Sequence, residues 1–419
     1  MGSQKDKEIG LKVWFKGVSM RKKFLCLAVI IVALNLCACT DDTAVISPIL
    51  DEGSRLEKSE EEPSGVENDG VESGIENSGI EPSDREQVEI SSEALLSELK
   101  EPDIVSITIS AAGDASLGNH HQQDYANSFR QMYDQVQDPG YFLGNVYDIF
   151  AQDDMTIVNL EGTLTMSDVI QEGRTYNIKG DPEYVDILTS GSVEAVSMAN
   201  NHRWDYGEQG SKDTIAALEA AGIQYAYDNV VGIYETKGIR IGFISVNEAS
   251  QGEAVERYLK DGIAELSDTG ADLILACCHW GIEREYYPED YQRTLGQKCI
   301  DWGADLVLGH HPHVLQGVEE YQGKYIVYSL ANFCFGANRN PSDKDTMIFQ
   351  QTFTFIDGEK QEDAEIRVIP CSVSSVTTRN DYCPTPATGE DAMRIMERIN
   401  EYSKDFGVAF TEEGYLERE

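Results

Sequence analysis

The chain has 419 residues and a formal net charge of −41, with 74 Asp and Glu against 33 Lys and Arg. A surface that acidic repels nucleic acid and anionic lipid and excludes both as general partners. An anionic substrate must then be attracted locally, and bound metal cations are the obvious source.

The first elements are processing signals rather than fold. Met20-Arg21-Lys22-Lys23 is cationic, the run from Phe24 to Leu36 is apolar, and Leu36-Cys37-Ala38-Cys39 follows. That order reads as a bacterial lipoprotein leader, residues 1–39, cut before Cys39, the lipidation site. The apolar run falls short of the roughly 20 residues that span a bilayer. An uncut anchor helix is the alternative. In both cases the remainder faces outward, held by its membrane anchor at the outer face of the cytoplasmic membrane or at the cell surface.

Residues 40–103 carry twenty acids against four basic residues, and Gly-Val-Glu or Gly-Ile-Glu recurs at Gly65, Gly70, Gly74 and Gly79. Such a segment buries too little apolar surface to offset its ordering entropy and is expected to be a disordered acidic tether. About −30 of the net charge then falls on residues 104–419.

From residue 104 the pattern alternates strand, loop and helix. Strands are expected at Ile104–Ser110, Met155–Leu160, Val193–Met198, Ile239–Val246, Asp272–Cys278, Asp305–Leu308 and Lys324–Leu330. One helix is capped by Ser211 and ends at Gly222; another opens at Pro288-Glu289-Asp290 and ends before Gly303. A hairpin turning near Asp357-Gly358 and a helix over Asp391–Tyr402 follow. This predicts a layered α/β fold with a largely parallel sheet, one domain over 104–405, and a C-terminal tail over 406–419. Among the six Cys of the domain, Cys371 and Cys383 flank a polar stretch and are candidates to pair.

All seven His lie between residues 120 and 313. Asp114, Glu161, Asn200-Asn201-His202, His279 and His310-His311-Pro312-His313 each follow an expected strand. Carboxyl ends of strands line the ligand crevice of open α/β sheets. One His at a strand end is more often structural; five separate strand ends bearing Asp, Glu, Asn and His reverse that judgement. Carboxylate, imidazole and amide ligands without thiolate favour Mn, Fe or Zn. Two such ions can clamp both oxygens of an in-line displacement. Lys179 and Arg203 are candidates to bind an anionic substrate, or to form salt bridges. Glu283 and Glu285 read as a solvated face. Gly113-Asp114-Ala115-Ser116-Leu117 looks superficially like a GDSL-type esterase start, but Ala115 interrupts it and no late Asp-x-x-His follows.

Gly113-Asp114, Asn159-Leu160-Glu161, Asn200-Asn201-His202-x-x-Asp205-Tyr206-Gly207, His279-Trp280-Gly281, Gly309-His310-His311-Pro312-His313 and Tyr328-Ser329-Leu330-Ala331-Asn332-Phe333 together resemble the motif series of the CapA family. These are capsule and poly-γ-glutamate biosynthesis proteins, similar in turn to calcineurin-like metallophosphoesterases. The resemblance implies a metallophosphoesterase-like four-layered α/β/β/α sandwich with two divalent metal ions. Asp114, Glu161, Asn201, His279, His311 and His313 would be ligands, with Glu161 bridging. His202 would act as the acid or contact the phosphoryl group, and Asp205 would hold it or shape its loop. Two departures stand out: Ser116 replaces the histidine of the Asp-x-His opening, and Glu161 replaces the usual Asp. Implied partners are an envelope polymer or its precursor and membrane-bound polymer synthase subunits. The implied activity is a metal-dependent hydrolase or transferase cutting P–O or amide bonds; a non-catalytic assembly or export factor is the alternative.

Overall fold

The computed structural model describes residues 101–418. The leader, Cys39 and nearly all of the acidic tether lie outside the described residues.

The strands in chain order are β1 (Ile104–Ser116), β2 (Asn119–His120), β3 (Met155–Leu160), β4 (Thr163–Leu164), β5 (Ile178–Gly180), β6 (Ala195–Ser197), β7 (Gln224–Ala226), β8 (Gly232–Thr236) and β9 (Ile239–Asn247). Then come β10 (Leu273–His279), β11 (Leu306–His310), β12 (Val318–Tyr321), β13 (Lys324–Val327), β14 (Asn332–Phe335), β15 (Asp345–Ile356), β16 (Glu359–Ser372) and β17 (Thr385–Pro386). They build two large sheets rather than one. The first has the order β17-β16-β15-β1-β3-β6-β7 with β14 also beside β1, and the second β12-β13-β11-β10-β9-β8. In the first, β1, β3, β6 and β7 are parallel and β15 joins β1 antiparallel. In the second, β9, β10, β11 and β13 are parallel, with antiparallel β8 and β12 at the edges.

Period-two alternation sorts the side chains into layers. Ile107, Ile109 and Ala111 of β1 face inward and share a core with Leu273, Leu275 and Cys277 of β10 and with Leu306 and Leu308 of β11. On the outer side of the first sheet, Ala112, Val158 and Val196 pack with Phe129, Ile187 and Leu218, which belong to the helices Phe129–Val136, Val185–Ser190 and Gly207–Ala221. On the outer side of the second, Ile244, Ile274 and Ala276 pack with Leu259 and Cys299 of the helices Ala254–Asp268 and Asp290–Trp302. The result is the four-layered α/β/β/α sandwich.

Several local expectations are refined. The helix assigned a Ser211 cap begins at Gly207, and Ser211 is buried in its interior; its C-terminus at Gly222, in the left-handed conformation, is as expected. Glu289 opens the helix Asp290–Trp302 through a reciprocal capping box with Gln292, and left-handed Gly303 closes it. The hairpin turns at Asp357-Gly358, but its arms are the long β15 and β16. The expected tail after residue 405 is instead part of the packed unit. Val408 and Phe410 are buried in the central core, Phe410 bridges to Leu416, and Tyr415 bridges to Arg367 of β16. Cys371 and Cys383 are both free and buried, like the four other Cys of the domain.

Candidate metal centre

The carboxyl ends of the central parallel strands of both sheets open on the same place. Close backbone approach fixes two of them. At Gly113 a Cβ would fall 2.0 Å from the Ala331 carbonyl oxygen, and at Gly309 another would fall 2.0 Å from that of Tyr328. Only glycine permits those approaches. They set Asp114, whose N–H donates to Ala331 O at 2.8 Å, and the His310–His313 turn at the mouth.

Asp114 and Glu161 are completely buried. Asp114 Oδ1 accepts from Asn159 Nδ2 at 2.8 Å, and Oδ2 lies 3.0 Å from His313 Nδ1. Glu161 is different: neither carboxylate oxygen has a hydrogen-bond partner. Three imidazoles surround its Oε1, with Nε2 of His202 and His279 each at 3.9 Å and that of His313 at 3.8 Å. His279 Nε2 also lies 3.0 Å from Asn201 Oδ1, and its ring is 4.6 Å from that of His311. His311 Nδ1 is buried without a partner. His311 and His313 both have left-handed backbones, φ 96° and 58°, a strain that persists where surrounding contacts over-determine it.

The charge balance fits a cation. Burial pushes the Glu161 carboxyl up to about 7. Burial would raise Asp114 too, but His310 and His313 hold it well below the ordinary carboxylate range. Burial, with His311 adding, lowers His279 far below its usual value. Burial, with His313 adding, lowers His311 as well, so both imidazoles are neutral. At His313 burial is outweighed by Glu161 and then Asp114, which hold the imidazole up to about 10. Buried carboxylate, imidazole and amide donors, with both Glu161 oxygens and His311 Nδ1 unpartnered, suit a divalent metal. Asp114, Glu161 and His313 offer atoms within 4.8 Å of one another, as one ion would need. Glu161, Asn201, His279 and His311 cluster beside them.

His202 stands at the rim of this cluster. Its Nδ1 is 2.6 Å from Asp205 Oδ2, which also accepts the Ile178 N–H at 2.6 Å. Asp205 thus ties the ring of His202 to the backbone of Ile178. Arg174, not singled out by the sequence, lies 3.5 Å from the other Asp205 oxygen and donates to the Asn201 carbonyl. Sequence reasoning also misses Asn332, His120 and Glu283 as site residues. Asn332 Oδ1 is 3.0 Å from His313 Nδ1. His120 and Glu283 line a cleft of about 360 Å³ with Glu161, His202, Arg284 and Arg339. Asn332 is legible within its motif; His120 is brought in by the two-residue strand β2 and Arg174 and Glu283 by loops, none with a local signature.

The two expected substrate-binding cations lie elsewhere. Lys179 Nζ is held by Asp168 at 2.8 Å and by the Ser167 carbonyl. Arg203 is 5 % exposed, pairs with Asp228 at 2.7 Å, and stacks on Tyr227 at 3.6 Å. Neither lines the cleft. Arg284 and Arg339 do, and neither makes an ion pair among the described residues. Trp280 is core wall, fully buried, its Nε1 donating to the Tyr328 carbonyl at 2.9 Å.

A two-sheet sandwich with a histidine and carboxylate cluster at its strand ends defines a metallophosphoesterase-like domain. The family described as "Bacterial capsule synthesis protein PGA_cap" matches residues 108–337, and the chain belongs to that family. It is 27 % identical over 289 residues to the PGA biosynthesis protein CapA of Bacillus subtilis (strain 168), covering 64 % of this chain and 73 % of that one. It is 27 % identical over 259 residues to the capsule biosynthesis protein CapA of Bacillus anthracis, covering 55 % of this chain and 60 % of that one. Among solved structures it is similar to a hypothetical protein from Thermus thermophilus, at 16 % identity and a TM-score of 0.38, over 63 % of this chain and 99 % of that one.

Proposed function

We propose that the protein is an outward-facing lipoprotein, anchored through Cys39, that works in capsule or poly-γ-glutamate biosynthesis as a metal-dependent hydrolase or transferase. Its substrate is an anionic envelope polymer or its precursor, and its place beside the membrane puts it within reach of the polymer synthase. The observation that carries this reading is Glu161, a buried carboxylate without a hydrogen bond and ringed by three imidazoles. A buried charge left so would cost several kcal/mol, about 3–5 when its partner is missing, unless a cation completes it.

Asp114, Glu161, Asn201, His279, His311 and His313 would hold two divalent ions, of Mn, Fe or Zn type. When bound, such ions supply Lewis acidity at the scissile group. The remaining steps belong to the chain itself. Arg284 and Arg339 receive the anion in an otherwise acidic domain, and the cleft walls orient it. His202, with Nδ1 held by Asp205, presents Nε2 toward the Glu161 side and delivers a proton to the leaving group there.

The test is metal content of the purified full chain, followed by turnover of phosphodiester and γ-glutamyl amide substrates beside His202→Ala and His311→Ala. About two metals per chain, with activity lost in both variants, supports the reading and names the bond. One observation favours an assembly factor without catalysis: Ser116, at the position of the first-motif histidine, is buried and its Oγ has no partner. Metal-free protein with no turnover under added Mn, Fe or Zn would leave that role.

A further inference from the structure

The first metal position is a ligand short. Asp114, Glu161 and His313 converge there, while Ser116 at the end of β1 offers no imidazole. A second convergent group meets it from the solvent side: Glu283, His311 and His313 also offer atoms within 4.8 Å of one another. His313 is common to both groups, so Glu283 reaches the mouth of the same centre.

The approach of Glu283 is constrained by its backbone. Gly281 takes φ 84° two residues after the end of β10, and its N–H donates to the Tyr291 hydroxyl at 2.5 Å. Arg284 takes φ 68°, uncommon for a residue with a side chain, and its N–H donates to the Pro312 carbonyl at 2.8 Å. Glu283 is thus held between two left-handed residues, one of which is tied to the turn carrying His311 and His313. A merely solvated acid needs neither constraint. The pocket also offers an atom waiting for a partner, the buried Nδ1 of His311. Glu285, two residues on, belongs to neither convergent group.

We propose that Glu283 is a metal ligand, supplying from the loop after β10 the ligand that Ser116 does not supply from β1. This rests on the metal-binding reading above. The donor set then holds three carboxylates, Asp114, Glu161 and Glu283, and is harder than one with an additional imidazole. Oxygen-rich sets favour manganese over zinc relative to nitrogen-rich ones. Glu283 is exposed, so its replacement leaves the core and the fold intact.

The experiment titrates Mn(II) into the full chain and into its Glu283→Gln and Glu285→Gln variants, read by calorimetry and by the electron paramagnetic resonance of the bound ion. The expected result is about two Mn(II) per wild-type chain with a spin-coupled signal. Glu283→Gln loses at least tenfold in affinity for one ion, with the coupled signal replaced by an isolated one, and Glu285→Gln matches wild type. Wild-type stoichiometry, affinity and spectrum in Glu283→Gln would overturn this assignment while leaving the metal centre standing. A wild-type chain that binds no Mn(II), Fe(II) or Zn(II) would overturn both.

Discussion

Asp205 holds His202 and Ile178 with a single oxygen: Oδ2 is 2.6 Å from His202 Nδ1 and 2.6 Å from the Ile178 backbone nitrogen. The carboxylate therefore fixes the imidazole ring and ties it to β5, the middle strand of the small sheet β2-β5-β4 beside the cleft. With Nδ1 donating to the carboxylate, Nε2 is the atom left for chemistry. Asp205→Asn keeps the shape and an acceptor for the Ile178 N–H but removes the negative charge to which His202 Nδ1 donates. Its kcat is expected to fall about 10²–10³-fold with KM little changed, against a larger loss in His202→Ala. Equal KM and kcat effects would instead mean that Asp205 only shapes the loop.

Glu161→Gln keeps the volume of the buried side chain and removes its charge. Its metal affinity is expected to drop at least a hundredfold. In the wild type, metal at a hundredfold excess over Kd stabilises by about 2.7 kcal/mol, which a chelator removes. Differential scanning calorimetry should show a Tm lowered by about 5 °C on chelation in wild type, and almost no change in Glu161→Gln.

Asp153 gives a pH dependence independent of the metal centre. Burial, with Glu194 and Asp154 adding, pushes its carboxyl up to about 7, although Thr156 donates to it at 2.7 Å. The folded chain therefore holds this proton more tightly than the unfolded one. The favourable contribution is complete below pH 4 and is lost as pH rises through 7. Asp153→Asn, which keeps an acceptor for Thr156, is expected to be more stable than wild type by about 2 kcal/mol at pH 8 and no more stable at pH 4. Urea unfolding at the two pH values reads the difference; an equal effect at both would assign it to packing.

Arg284→Ala and Arg339→Ala address substrate capture. Each removes a cleft cation that has no carboxylate partner among the described residues. KM for an anionic polymer is expected to rise about fivefold in each and its dependence on salt to flatten, with kcat unchanged. Lys179→Ala serves as the control, because that ammonium is already occupied by Asp168 and lies off the cleft.

The polar side chains that gather at strand ends are legible in the sequence. Asp114, Glu161, Asn201, His279, His311 and His313 each sit within a few residues of an apolar run, and a short motif carries both strand and side chain. Glu283 is not legible, because its proposed role depends on left-handed Arg284 and on the approach of Pro312 from the turn after β11, neither of which has a local signature. In the sequence Arg203 reads equally as a substrate contact or as a salt-bridge partner, and the structure shows the salt bridge. Its burial against Tyr227 and Asp228 comes from a loop 25 residues away. Strand and helix alternation likewise does not show that the chain leaves one sheet after β7. The isolated bridge between Tyr227 and Val230 turns it there into the antiparallel pair β8-β9, where the second sheet begins. The fold class comes through family motifs; the sheet allocation comes from tertiary packing.

The centre takes Asp114, Glu161, Asn201 and His202 from one sheet and His279, His311 and His313 from the other. An ion held there is a rivet through both halves of the sandwich at the one end where their backbones are cut open for chemistry. Opening that end to admit a bulky chain would strain the ligands on both sides at once. With such an ion in place, the frame would stay closed and substrate would enter past the cleft walls that Tyr176 and residues 337–339 and 341–343 supply.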